Sequence, residues 1–408
     1  MSTPGSAPAF TVGSAAAAAI APSGIRAVAD LAWRTPGTLQ LQLGEPSHPT
    51  PPHVVDALAQ AARDGNTRYG PTPGVPAFRE SAAAKVVRVN GLTMSPDDVT
   101  VCAGGVEGLG ATYRALLDVG DEVLVPDPGW PNLGTLAVVC GAVPVGYPLR
   151  SGDRPGPDLE ALERLVTPRT RVLVVNTPSN PTGGGFDAAT LADVLGWAAE
   201  HGLWVVADEC YDEMWLDDPQ PCAALVAQQL REAGRAAPEV VSVFSLSKTH
   251  AMTGFRLGYV CTPPALTPVV RRVQETTLSC VSTPTQWAGV AALSGPQDHV
   301  EEMRASYRSR RDLCVAQLAD QDVLTLATRP SGAFYLWLAY GGGEPSTDLA
   351  RRLVVDHQVA LAPGRAFGPA GEGHLRVSLA SADEVLVEGL RRVVAALRER
   401  PSGAVPHH

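Results

Sequence analysis

Of the 32 basic residues in this 408-residue chain only Lys85 and Lys248 are lysines, so any chemistry that needs a primary amine has two candidates. The seven cysteines, at 102, 140, 210, 222, 261, 280 and 314, are odd in number and contain no C-x-x-C pair. That pattern argues against a disulfide framework and a zinc site, and it fits a reduced, cytoplasmic setting with no metal. No segment approaches the roughly 20 apolar residues needed to span a bilayer. The small apolar stretch 12–21 has no Lys or Arg before it and so lacks the charged start of a secretory signal. Net charge is −10, with the acidic residues dispersed, and the first 40 residues hold only Arg26 and Arg34 as basic residues. Neither a nucleic-acid partner nor a membrane is expected.

What the chain has is length and apolar content. With 45% hydrophobic residues over 408 positions it exceeds the size at which one core usually divides. Residues 1–22 read as a flexible arm, and the terminus 401–408 as frayed. Between about 98 and 262, β-rich runs at 99–102, 122–125, 142–145, 171–175, 203–207, 240–244 and 257–260 alternate with helical patterns. Alternation of this kind predicts a mostly parallel sheet covered by helices, and runs such as VLVV read as strands buried on both faces. Ligands bind such sheets at the carboxyl ends of the strands. From about 295 the pattern becomes a helix over 298–319, strands near 323–326 and 333–338, a helix over 347–356, a strand ending near Ser378 and a helix over 382–398. This is a smaller α+β unit. The expected division is 1–45 as an arm plus part of the small domain, 46–290 as the large domain, and 291–408 as the small C-terminal domain.

The polar motifs fall at predicted strand ends. Ser245-Leu246-Ser247-Lys248-Thr249-His250 follows the run VVSVF, which poises Lys248 over a ligand site. An amine used for imine chemistry must be deprotonated part of the time, and burial together with a cation such as Arg256 promotes that. Lys85, by contrast, shows only the pattern of a solvated helix face. Asp208 ends the strand at 203–207, where a buried carboxylate needs a cation or donors to face. Asn176-Thr177-Pro178-Ser179-Asn180-Pro181-Thr182-Gly183 marks a tight turn after VLVV. Ala103-Gly104-Gly105-Val106 lies between a strand and a helix, where glycines let backbone N–H groups approach a phosphate.

In this order the motifs resemble the class I and II aminotransferases of the aspartate aminotransferase superfamily, over roughly residues 24–397. The matching segments are Leu43-Gly44-Glu45-Pro46, Arg68-Tyr69-Gly70-Pro71, Asp127-Pro128-Gly129-Trp130-Pro131-Asn132, Asn180-Pro181-Thr182-Gly183, Asp208-Glu209-Cys210-Tyr211, Ser245-Leu246-Ser247-Lys248 with Arg256-Leu257-Gly258, Gly332-Ala333-Phe334-Tyr335, and Pro363-Gly364-Arg365 with Leu375-Arg376. The resemblance implies a seven-stranded, mostly parallel sheet sandwiched by helices (fold type I) with a smaller α+β domain. It implies pyridoxal 5'-phosphate as cofactor, amino acid and 2-oxo acid substrates, and a homodimer.

Residue roles follow from the same resemblance. Lys248 would form the Schiff base and shuttle the proton. Asp208 would pair with the pyridine nitrogen, while Asn180 and Tyr211 would hold the phenolic oxygen. Trp130 would stack on the ring. Gly104 belongs to the phosphate loop; Ser245, Arg256 and the amides of Gly105 and Val106 would bind the phosphate, joined by Tyr69 from a partner subunit. Arg376 would grip the substrate carboxylate, and Gly44 would line the substrate site together with Trp130 and Asn180. Three positions depart from the family pattern: Gly104 where relatives often carry a hydroxyl, Leu133 where many carry a tyrosine, and His250 where an aromatic is common. His250 reads as a packing or hydrogen-bonding neighbour.

The expected function is ping-pong transfer of an amino group from an L-amino acid to a 2-oxo acid. The alternative is a lyase or a decarboxylating or oxidatively deaminating enzyme of the same fold, carrying out β-elimination or γ-replacement. A ligand sensor on this fold would need an attached basic DNA-binding region, which the first 40 residues do not supply.

Overall fold

The computed structural model describes residues 13–150 and 155–399. Most of the expected arm and the terminus 401–408 lie outside the described residues. Within that arm, Ser14 caps a single helical turn, Ala15–Ala18, by accepting the N–H of Ala17.

All seven β-rich runs form strands of one sheet. In spatial order they are Val99–Cys102, Gly258–Cys261, Val240–Ser245, Trp204–Asp208, Thr170–Asn176, Glu122–Asp127 and Val143–Arg150. An eighth, two-residue strand, Gly156–Pro157, adds antiparallel to the last of these. Five neighbouring strands run parallel, and Gly258–Cys261 is antiparallel to both of its neighbours.

Period-two alternation within the apolar runs explains why both faces are covered. Leu173 and Val175 pack with Leu191, Val194 and Val226 from the helices Ala188–Glu200 and Ala223–Glu232. Val172 and Val174 face the other way, onto Leu109, Leu133 and Val270 from Gly105–Leu116, Pro131–Val139 and Thr267–Thr277. Each such fully buried Val or Leu contributes about 1.5–3 kcal/mol relative to exposure. The parallel strands put their carboxyl ends on one edge, where Asn176 and Asp208 are cross-strand partners.

The C-terminal part is a four-stranded antiparallel sheet ordered Leu324–Thr328, Tyr335–Tyr340, His374–Ser378, Ala362–Pro363. Its helices Asp298–Leu318, Ser346–His357 and Asp383–Arg398 match the expected positions to within about two residues. The helix Gly24–Arg34 packs on Ser346–His357, and Leu39–Gln40 pairs in parallel with Val359–Ala360. The segment just before Gly44 is thereby anchored to the C-terminal part.

The expectation for Lys85 is overturned. On the helix Pro76–Asn90, Phe78, Ala82, Lys85 and Val86 are all buried, and Lys85 is only 3% exposed. Its Nζ donates to Asp212 and, at 3.1 Å, to Asn90 Oδ1; Glu213 lies at 3.5 Å and the Phe244 ring beneath at 4.8 Å. Residues 78, 82 and 85 share one helical stripe, so the spacing itself placed Lys85 on the packed side.

Candidate active site

A cavity of about 270 Å³ lies at the carboxyl edge of the large sheet, where that edge meets the four-stranded sheet. Three adjacent elements deliver its chemistry: Thr170–Asn176 ends on Asn176, Trp204–Asp208 on Asp208, and Val240–Ser245 leads directly into the short helix Leu246–Thr249 that carries Lys248.

Lys248 points its Nζ into this cavity and donates to the Gly44 carbonyl at 2.6 Å. Burial pulls its amine below the usual lysine range, and the Arg376 and Arg256 cations push the same way against Cys210 and Glu45. The sequence suggested Arg256 as the source of this field. Arg376 is the stronger contributor of the two.

Asp208 is 2% exposed, and the N–H of Cys210 reaches its Oδ1 at 3.3 Å. Burial raises this carboxyl above the ordinary aspartate range, with Lys248 opposing. The carboxylate therefore has room in the cavity for a stronger cationic partner. Glu209 points to the opposite face and accepts the Ala223 N–H at 2.7 Å, its carboxyl pushed up to about 7 by burial.

Asn176, to which the sequence assigned no role, ties the strand ends together. Its Nδ2 donates to the Asp208 carbonyl at 3.2 Å, and its Oδ1 accepts the Asn180 N–H at 2.9 Å. Asn180 in turn accepts Arg376 Nη1 on its Oδ1 at 2.9 Å, which leaves its amide N–H groups for another acceptor. Arg376 donates Nη2 to the Gln42 carbonyl at 2.6 Å and lies over the Tyr335 ring at 4.4 Å. Its Nε is buried without a protein partner, and burial lowers the guanidinium below its ordinary range. A buried cation with an unused donor suits a carboxylate.

At the opposite end the amides of Gly105 and Val106 open the helix Gly105–Leu116, whose first-turn N–H groups have no intrahelical acceptor. Gly104 sits at φ +85°, a conformation that favours glycine, and Arg256 Nη2 lies 2.7 Å from where a Cβ would stand, so the guanidinium comes up against the loop. Arg256 itself holds a left-handed φ of +54°, a strained conformation for a non-glycine residue that re-aims its side chain toward the helix start. Ser245 caps the Lys248 helix by accepting the Ser247 N–H.

The cavity thus gathers Gly44, Gly105, Val106, Trp130, Asn180, Asp208, Tyr211, Ser245, Lys248, Arg256 and Arg376. Gly104 stands just behind it. Tyr69 does not line it; the tyrosine is 93% exposed, beside Thr283 and Pro284. Of the further residues in the lining, Cys210, Ser247 and Tyr335 lay in quoted motifs without a role, whereas Thr253 and Ile25 carried no distinguishing sequence signal. His250 is outside the cavity, its Nδ1 2.9 Å from His299 Nε2.

The arrangement fits pyridoxal phosphate. Helix-start amides and Arg256 suit its phosphate, the buried Asp208 carboxyl suits a protonated ring nitrogen, and Lys248 supplies an amine biased toward its neutral form.

Comparison with known proteins agrees. The family model described as aminotransferase class I and II matches residues 36–394. The aspartate/prephenate aminotransferase of Thermus thermophilus is 35% identical, over 88% of this chain and 90% of that protein. Aromatic-amino-acid aminotransferase 2 of Thermococcus litoralis is 32% identical, over 93% and 96% respectively. The structure of alanine aminotransferase from Pyrococcus furiosus superposes with a TM-score of 0.88 at 29% identity, covering 95% of this chain and all of that one.

Proposed function

The chain belongs to the class I and II aminotransferases and is pyridoxal-phosphate dependent, and from that premise we propose how its residues divide the work of transamination. The enzyme moves an amino group from an amino acid to a 2-oxo acid in two half-reactions that share one site. Bound pyridoxal phosphate supplies the electron sink that makes the substrate Cα proton acidic. Lys248 would remove the proton from the substrate Cα and hold it on its Nζ, a task for which an amine below its usual pKa range is suited. Asp208 keeps a proton on the ring nitrogen. Tyr211 and Asn180 donate to the phenolic oxygen, Trp130 covers the ring, and Ser245, Arg256 and the Gly105 and Val106 amides hold the phosphate. Arg376 orients the substrate through its carboxylate.

One observation carries this reading: Lys248, Asp208 and Arg376, from three separate elements, line a single cavity. Among the described residues of this chain the cavity has three basic side chains, Lys248, Arg256 and Arg376, each with an assigned task. Ile25 and Trp130 add apolar surface, which favours donors with uncharged side chains.

Residues 46–290 then form the cofactor-binding domain, with 1–45 and 291–408 contributing the arm and the smaller domain. The exposed Tyr69 supports a homodimer in which it completes the partner's phosphate site, and seven free cysteines support a cytoplasmic setting. No helix among the described residues is long and apolar enough to cross a membrane.

The test is single-turnover mixing of loaded enzyme with individual amino acids and no acceptor. Stoichiometric aminated cofactor and 2-oxo acid are expected, fastest for uncharged donors. Repeated turnover releasing ammonia, thiol or carbon dioxide would overturn transamination, and a faster reaction with aspartate would overturn the donor preference. Sedimentation should give a dimer.

A further inference from the structure

We infer that Tyr335 is a positioning residue of the reaction, its hydroxyl donating to Tyr211 so that the Tyr211 proton faces the cavity, while its ring seats Arg376. This rests on the roles proposed above for Tyr211 and Arg376.

Tyr335 is 1% exposed at the start of the strand Tyr335–Tyr340, where it pairs with Ser378 and packs against Phe334 at a ring-centroid distance of 4.8 Å. Its hydroxyl lies 2.8 Å from that of Tyr211. Its ring lies 4.4 Å under the Arg376 guanidinium. A Cβ on Gly44 would come within 2.5 Å of the same hydroxyl, so the absence of a side chain there lets Tyr335 reach Tyr211. The Gly44 carbonyl also receives Lys248. One phenol thus touches the elements that present the amine, the carboxylate clamp and the phenolic-oxygen donor.

Proton counting sets the direction of the Tyr211–Tyr335 bond. Burial pushes both phenols up, so at neutral pH each keeps one proton and only one of the two lies in the shared bond. The role proposed for Tyr211 points its one proton at the cofactor oxygen, so the proton in the shared 2.8 Å bond is that of Tyr335. The Tyr211 hydroxyl, polarised by accepting, becomes a stronger donor in turn. Such a donor favours the ionised form of a cofactor oxygen and so lowers the pH at which the loaded enzyme changes its visible absorption.

Tyr335→Phe removes the hydroxyl and keeps the ring. The expected result is a rise of the absorption titration midpoint by about half a pH unit, with cofactor content and Tm near those of the parent enzyme. The expected kinetic signature is a lower kcat with KM within about two-fold, since the ring still supports Arg376. Tyr211→Phe, measured alongside, should shift the midpoint further the same way. If neither variant moves it, the assignment of Tyr211 fails. If Tyr211→Phe moves it and Tyr335→Phe does not, the present inference fails. Should Tyr335→Phe load only in part, the absorption titration reads the loaded fraction alone, and the same outcomes decide.

Discussion

Of the two lysines of this chain Lys85 is buried and Lys248 is partly buried in the cavity wall, and their surroundings drive them in opposite directions. Lys85 faces Asp212, Glu213 and Asn90. Burial disfavours its charge, but Asp212, Tyr259 and Glu213 outweigh that and hold the ammonium well above the usual lysine range. Lys248 faces a carbonyl and two guanidinium groups, and falls below that range. Burial alone therefore does not make a lysine reactive. The sign of the neighbouring charges decides whether a buried amine is a permanent structural cation or a base.

The largest effect that can break this comparison is on catalysis. Lys248→Ala should lose at least about 10⁴-fold in kcat/KM, and borohydride reduction of the loaded parent enzyme should label the peptide containing Lys248 and leave that of Lys85 unlabelled. Labelling at Lys85 would remove the distinction.

Next is stability. Lys85→Ala strands Asp212 and Glu213 in the core, and should cost about 3–5 kcal/mol in denaturant unfolding, while the folded fraction keeps most of its activity. A loss below ~1 kcal/mol would show that the Lys85 cluster behaves as a solvated pair.

A third effect is the pH dependence of stability in cofactor-free protein. Between the lowered pKa of Lys248 and 10.5, the unfolded chain binds the proton and the folded one does not, so this lysine makes stability rise with pH. Above 10.5 the folded chain retains the Lys85 proton after the unfolded chain has lost it, so the Lys85 contribution, complete below 10.5, declines as pH climbs through the raised folded value. Comparing Lys248→Met and Lys85→Met with the parent across pH 7 to 11 should give difference slopes of opposite sign, each at most about 1.4 kcal/mol per pH unit.

The smallest effect sharpens the Lys248 side. Glu45 raises the pKa of this amine, so Glu45→Gln should move the pH at which Lys248 is acylated in cofactor-free enzyme downward by about a few tenths of a unit. An upward shift would show that Glu45 acts through structure instead of charge.

The sheets were legible because their apolar runs carry the period that places Leu173 and Val175 on one face and Val172 and Val174 on the other. The site was legible at strand ends, since Asp208, Ser245 and Lys248 follow buried runs and topology brings strand ends together. Asn176 and Tyr335 were not assigned. Each acts by touching a residue distant in the chain, Asn176 reaching Asp208 and Tyr335 reaching Tyr211.

The sequence by itself determined the family, the cofactor, the strand order of motifs and which lysine follows a strand end, all properties of short segments read in order. Tertiary structure decided which charges surround each lysine. That depends on side chains such as Arg376 and Asp212, which lie 128 and 127 positions from the lysines they act on (376 − 248 and 212 − 85), and Coulomb interactions respond to distance in space.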